Sequence, residues 1–252
     1  VNRRGFLSVA ATLSAAGLAR GGVIPVPGCR HVIKAVAFDG FAIFDPRPIG
    51  AAAEAIFPGR GTELMLAWRT RQFEYSWLRT LTHDYADFWR VTTDALAFAS
   101  RSLALELTPE NRDRLMEGYR NLKAWPDVVS ALRSLQESGI RLALLSNFTQ
   151  AMQDDGIRSA GLDGLFEARL TTDTVKAYKP DPRSYQLGVD HFKLPRLAIA
   201  FVALGGWDAV GAKRFGYPVY WCNRLAQPAE ELGAPADRVC ANLAELPAFV
   251  CG

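Results

Sequence analysis

The sequence predicts an α/β fold, a doubly wound, mostly parallel sheet into which an all-helical cap is inserted. Three observations predict it. Short apolar runs stand at residues 32–38, 142–145, 198–202 and 219–222, helical patterns lie between them, and a long strand-free stretch follows the first run. Short runs of β-branched and aliphatic residues read as strands buried on both faces, as a parallel sheet requires. Alternation of such strands with helices places the helices on both sides of one sheet.

The elements follow in order. The first run, Val32 to Phe38, ends at Asp39. Residues 50–126 show helical patterns such as Leu64 to Leu81 and Asp87 to Leu105, and no strand signal. This stretch interrupts the α/β unit after its first strand, so 50–126 is expected to be the cap. Residues 31–49 and 127–252 are then the Rossmann-like core. Beyond the cap, Val128, Leu132 and Leu135 recur at helical spacing, with Gly139 as a stop signal. Gly161 and Gly216 punctuate two further helices. No internal repeat or low-complexity tract interrupts the pattern.

Composition narrows the function classes. The 252 residues, 49% hydrophobic and 22% charged, suit a globular chain with a sizeable core. A net charge of +3 without a dense Lys/Arg block argues against nucleic acid as a partner. The four cysteines, Cys29, Cys222, Cys240 and Cys251, form no CxxC and have no histidine at metal-site spacing, so no zinc site is expected. Whether Cys240 and Cys251 form a disulfide is left open by spacing alone.

Residues 1–30 read as an export signal and linker. Asn2-Arg3-Arg4-Gly5-Phe6-Leu7, followed by the small apolar run Ser8 to Ala19, resembles a twin-arginine signal. The run is shorter than the ~20 residues of a membrane span, so no stable membrane span is expected. Export would place the mature protein in the periplasm; an unused signal would leave it in the cytoplasm.

Ligands of open α/β sheets bind beyond the carboxyl ends of the strands. Those ends carry Asp39, then Ser146-Asn147, then Lys179 in the third β-α loop, then Gly205-Gly206-Trp207-Asp208. Together they supply a carboxylate, a hydroxyl beside helix-start N–H groups, a cation and a second carboxylate. Each also has a plainer reading. Asp39 closes a strand, Lys179 is a solvated loop lysine, Ser146 and Asn147 cap the next helix, and Asp208 answers a helix dipole. In the cap, Arg69 shares a helical stripe with Leu66, Phe73 and Trp77. An arginine on a buried face needs an anion, either a cap carboxylate such as Glu74 or Asp87, or a ligand. His31, His83 and His191 show no pairing and read as structural or exposed. Ser146 therefore has no base for a serine-hydrolase reading.

Phe38-Asp39, Leu145-Ser146-Asn147, Tyr178-Lys179-Pro180-Asp181 and Trp207-Asp208 match the four signature loops of the haloacid-dehalogenase superfamily. Phe57-Pro58-Gly59-Arg60-Gly61, Trp68-Arg69, Glu74-Tyr75-Ser76-Trp77-Leu78 and Tyr85-Ala86-Asp87-Phe88-Trp89 are similar to the cap of its type II, L-2-haloacid dehalogenases. The resemblance runs from about Ile33 to the C-terminus. It implies that Asp39 displaces halide from a short 2-haloacid to form an ester, which water then opens to a 2-hydroxy acid. It further implies that Lys179 points at the nucleophile, that Arg69 receives halide or carboxylate, and that Asp208 holds Lys179 and orients water. Ser146, Asn147 and Tyr185 would bind substrate, with Phe41, Phe73 and Trp207 as pocket walls, although core packing also accounts for aromatics. Tyr185 could equally be a half-buried helix residue. A homodimer is implied as well.

No metal or other cofactor is expected. Superfamily phosphatases carry a second Asp two positions after the nucleophile, and here that position is Phe41. Two loops depart from the family. The first lacks the family threonine and is one residue shorter, and the fourth has Ala203 and Gly205 where the family has Ser and Asn. The alternatives are a phosphate-ester hydrolase of the same superfamily and a catalytically silent carboxylate-binding protein.

Overall fold

The computed structural model describes residues 32–252, and the export-signal expectation for residues 1–30 lies outside them. The central strand is β1 (Ala35–Phe38), hydrogen-bonded on one side to β4 (Arg141–Ser146) and on the other to β6 (Ile199–Ala203). With β5 (Ala168–Thr171), β7 (Val219–Cys222) and β8 (Arg238–Cys240) they make a six-stranded sheet in the order β5-β4-β1-β6-β7-β8, parallel at every pairing.

Side-chain alternation along these strands splits the core in two. Val36, Phe38, Leu142, Leu144, Ala200 and Val202 face one cluster, joined by Val128, Leu132 and Leu135 of α6 (Val128–Glu137) and Met152 and Ile157 of α7 (Gln150–Ala160). Ala35, Ala37, Ala143, Leu145, Phe201 and Ala203 face the other, packed by Phe192 of α8 (Pro182–Phe192) and Phe215 of α9 (Gly206–Phe215). The sheet is doubly wound, as expected. The small alanines of β1 let helices approach closely from the second side.

After β1 the chain makes a single turn, α1 (Gly40–Ile43), and a two-residue strand β2 (Phe44–Asp45). The helices α2 (Arg47–Ile56), α3 (Gly61–Leu81), α4 (Phe88–Ser102) and α5 (Pro109–Glu117) follow. The stretch read as strand-free nonetheless contains β3 (Lys123–Ala124), antiparallel to β2, which ties the two ends of the helical segment together. Two residues carry no alternation to read. The helices begin at Arg47, ahead of residue 50, because Pro46 and Pro48 start the first turn cheaply. A short C-terminal helix, α10 (Leu246–Cys251), closes the first core cluster.

On α3 the fully buried row is Leu64, Trp68, Gln72 and Ser76, facing α4; the Trp68 indole donates to the Thr92 carbonyl at 2.8 Å. Arg69, Phe73 and Trp77 form the adjacent half-buried row. Leu66, expected in that stripe, is 71% exposed. A 21-residue helix is about 30 Å long and outruns the site it covers. No helix among the described residues is long and apolar enough to cross a membrane. The three described cysteines are free, and Cys240 is the register partner of Cys222.

Candidate active site

Asp39 directly follows β1, and its backbone N–H still donates to the Val202 carbonyl of β6 at 2.9 Å before the chain turns into α1. Its side chain caps that turn, one oxygen accepting from the Phe41 N–H at 3.1 Å. The other oxygen accepts from Lys179 Nζ at 2.7 Å, and the same ammonium donates to Asp208 at 2.8 Å. Gly40 permits this close arrangement, since a Cβ there would lie 2.7 Å from Ser146 Oγ.

Lys179 is fully buried. Burial opposes its charge, but the two carboxylates outweigh that cost and raise its pKa, so it stays an ammonium. Asp208 is pushed up to about 6, chiefly by burial and further by Asp39, against the pull of Lys179. Among the described residues no group of three or more His, Cys, Asp or Glu side chains could hold a metal ion.

A narrow cavity opens above these charges, lined by Asp39, Phe41, Arg69, Phe73, Ser146, Asn147, Trp207 and Asp208. Arg69 reaches in from α3 with its guanidinium 4.7 Å above the Phe41 ring and 5.4 Å above Phe73. Desolvation lowers its pKa, opposed by Tyr119 and Asp39. No ion pair or hydrogen bond within the described residues engages it. The cap carboxylates are committed elsewhere: Glu74 pairs with Arg71 at 3.0 Å, and Asp87 caps α4 by accepting from the Arg90 N–H. Arg69 is thus a partly desolvated cation that the protein itself leaves without an anion.

Ser146 and Asn147 reach the cavity but do not cap α7; Thr149 does, accepting from the Met152 N–H. Ser146 Oγ accepts from the Phe148 N–H at 3.1 Å, and Asn147 Oδ1 from the Lys179 N–H at 3.1 Å. The Asn147 amide nitrogen makes no hydrogen bond among the described residues. Tyr185 is not a cavity wall. It is fully buried on α8, and its hydroxyl donates to Asp208 at 2.7 Å. It braces the carboxylate from behind, and burial raises its own pKa far above the ordinary value.

Phe73 meets Trp207 edge-on at 5.1 Å. Gly205 makes room for that indole, since a Cβ there would lie 2.8 Å from Trp207 Nε1. The indole therefore packs against bare backbone. Phe88, Phe148 and Leu204 also line the cavity and were not singled out from sequence. Phe148 directly follows Ser146-Asn147 and Phe88 lies in a cap motif, so adjacency was the available signal. Of the histidines, His31 lies outside the described residues and His83 is exposed, whereas His191 is not unpaired: its Nε2 lies 2.8 Å from Glu167, and neither lines the cavity.

The carboxylate that follows the first strand is thus held by a fully buried lysine beneath the inserted helices. A family model for haloacid dehalogenase-like hydrolases matches residues 24–216, and the chain belongs to that family. It is 40% identical over 206 residues to the (S)-2-haloacid dehalogenase of Pseudomonas sp. (strain YL), covering 81% of this chain and 89% of that one. It is 39% identical over 206 residues to haloacetate dehalogenase H-2 of Moraxella sp. (strain B), covering 81% and 92%. The structure of L-2-haloacid dehalogenase from Xanthobacter autotrophicus with chloropropionic acid covalently bound superposes with a TM-score of 0.81 at 33% identity, covering 87% of this chain and 99% of that one.

Proposed function

We propose that the chain hydrolyses short 2-haloalkanoic acids to 2-hydroxy acids. The observation that carries this reading is the pair of cations around Asp39, one fully neutralised by protein carboxylates and one left for an anion. In the first step a carboxylate oxygen of Asp39 attacks C2. The carbon–oxygen bond forms as the carbon–halogen bond breaks, and the electron pair leaves with the halide. Arg69, partly desolvated and without an ion pair among the described residues, receives the anion in this reading, where a desolvated cation acts most strongly. The substrate carboxylate is offered Ser146 Oγ and the free amide nitrogen of Asn147.

In the second step water attacks the carbonyl carbon of the aspartyl ester. Asp208, with its pKa raised by burial, accepts the water proton. The bond from the ester carbonyl carbon to the substrate oxygen then breaks, and that oxygen takes the proton back from Asp208 and leaves as the 2-hydroxy acid. Asp39 loses its remaining proton to solvent to become a carboxylate again. Halide leaves as a stable anion and needs no proton. Phe41, at the position where a phosphatase carries its acid, therefore suits this chemistry better than phosphate-ester hydrolysis. The cavity's aromatic walls and small size favour two- and three-carbon acids.

The Arg-Arg-Gly-Phe-Leu pattern is the ground for proposing periplasmic action after twin-arginine export, and a homodimer is proposed on the motif resemblance to the type II dehalogenases. A single turnover with 2-chloropropionate in 18O-labelled water tests the chemistry. Halide release with label entering Asp39, and no halide release by Asp39→Asn, is the expected result. Label passing directly into the product, with none in the protein, would replace the ester by direct attack of water. Tight binding of haloacid without turnover would make the chain a carboxylate-binding protein.

A further inference from the structure

Lys179 has to hold its ammonium between two carboxylates in a buried site. Yet the segment that carries it, between the short turn Thr172–Thr174 and α8, has no ladder or helix to fix its backbone. Side chains take over that task. The Lys179 N–H donates to Asn147 from the sheet side. The Tyr178 N–H donates to Thr80 Oγ1 at 3.0 Å, and the Trp77 indole donates to the Lys179 carbonyl at 3.2 Å. Thr80 and Trp77 stand three residues apart on α3, so a single turn of the cap helix grips the peptides on both sides of the lysine. Tyr178 adds a second tie, its hydroxyl donating to the Ala86 carbonyl at 2.5 Å just before α4.

We infer that Trp77 and Thr80 are positioning residues: one turn of the cap sets the register of the Lys179 ammonium, so the charge triad is aligned only while α3 is docked. Neither residue lines the cavity. Trp77 instead stacks behind it, 5.5 Å from Trp207 and 6.2 Å from Phe73. The cap thereby acts on the chemistry through the lysine backbone as well as through Arg69. Calling that lysine catalytic rests on the dehalogenase reading, whereas the clamp itself is a matter of geometry.

The groups around the ammonium are Asp39 at the end of β1, Asp208 on α9 with Tyr185 of α8 behind it, and the Phe201 ring of β6, 5.1 Å away. A lysine that retreats leaves Asp208 with less of the cation that opposes its upward shift. The test compares Thr80→Val, Thr80→Ser and Trp77→Phe in the full chain, reading kcat, KM, thermal midpoint and the NMR titration of Asp208 in the free protein. Thr80→Val and Trp77→Phe are expected to lower kcat about ten-fold while KM stays within about two-fold. Asp208 should then titrate about half a pH unit higher. Thr80→Ser, which keeps the acceptor, should restore both readings. An unchanged Asp208 titration and kcat in the two disabling variants, or a Thr80→Ser protein that behaves like Thr80→Val, would overturn the inference. Absence of halide release by the unaltered enzyme would instead sink the functional reading, because the Asp208 titration needs no turnover.

Discussion

The two halves of the site handle charge in opposite ways. On the sheet side, Asp39, Lys179 and Asp208 satisfy one another at 2.7–2.8 Å, with Tyr185 and Asn147 bracing them. On the cap side, Arg69 lies among aromatic rings with no carboxylate paired to it among the described residues. A compensated buried network stabilises its own geometry, whereas a desolvated cation without a partner is a standing cost that an incoming anion relieves. The sheet holds an internally compensated network, and the cap holds a cation whose demand an incoming anion would meet.

Breaking each half separately should give different signatures. Lys179→Met leaves two buried carboxylates facing each other without a cation. Halide release should fall at least about 10³-fold, with a stability loss of about 3–5 kcal/mol in denaturant unfolding. Arg69→Met should lower kcat/KM by about 10²–10³-fold, as loss of a transition-state donor does. Its thermal midpoint should hold or rise, since no internal partner is orphaned. Equal losses of stability in the two variants would erase the contrast.

Finer measurements sharpen it. Asp208 lies near 6 in the fold, above its ordinary 3.8, so it takes up a proton as pH falls through that window. Ester hydrolysis should therefore decline on the acid side with a limb near pH 6, read from kcat between pH 4.5 and 8. The linkage sign is the reverse for folding. The raised pKa makes a contribution to stability that is complete below 3.8 and lost as pH rises through about 6. Tyr185→Phe removes a hydrogen bond to the ionised form of Asp208, so the limb should move upward and kcat fall about five- to ten-fold. An unmoved limb would assign it to another group.

Much of this was legible in the chain because it depends on local pattern. Four of the six sheet strands are the runs read from sequence, since burial on both faces leaves an apolar signature. β5, Ala-Arg-Leu-Thr, and the edge strand β8, Arg-Val-Cys, escaped because partly exposed strands need no such run. Asp39, Lys179, Asp208 and Arg69 were marked by strand ends and by helix spacing. Tyr185 was read as either a substrate-site residue or a half-buried helix residue, and it lies fully buried on α8 behind Asp208. Leu66 was placed in the Arg69 stripe, although α3 extends beyond its contact there. Both concern which neighbour a side chain meets across the fold, a question that periodicity does not address.

The sequence by itself determined the α/β class, the helical insertion after the first strand and the identity of the ionisable groups, because these follow from short-range periodicity and residue chemistry. Only the tertiary structure decided that one ammonium is shared by two carboxylates, that Arg69 makes no ion pair among the described residues and that α3 grips the lysine loop. Those facts join residues up to 140 positions apart, and their energies depend on distance and burial, which exist only once the chain is packed.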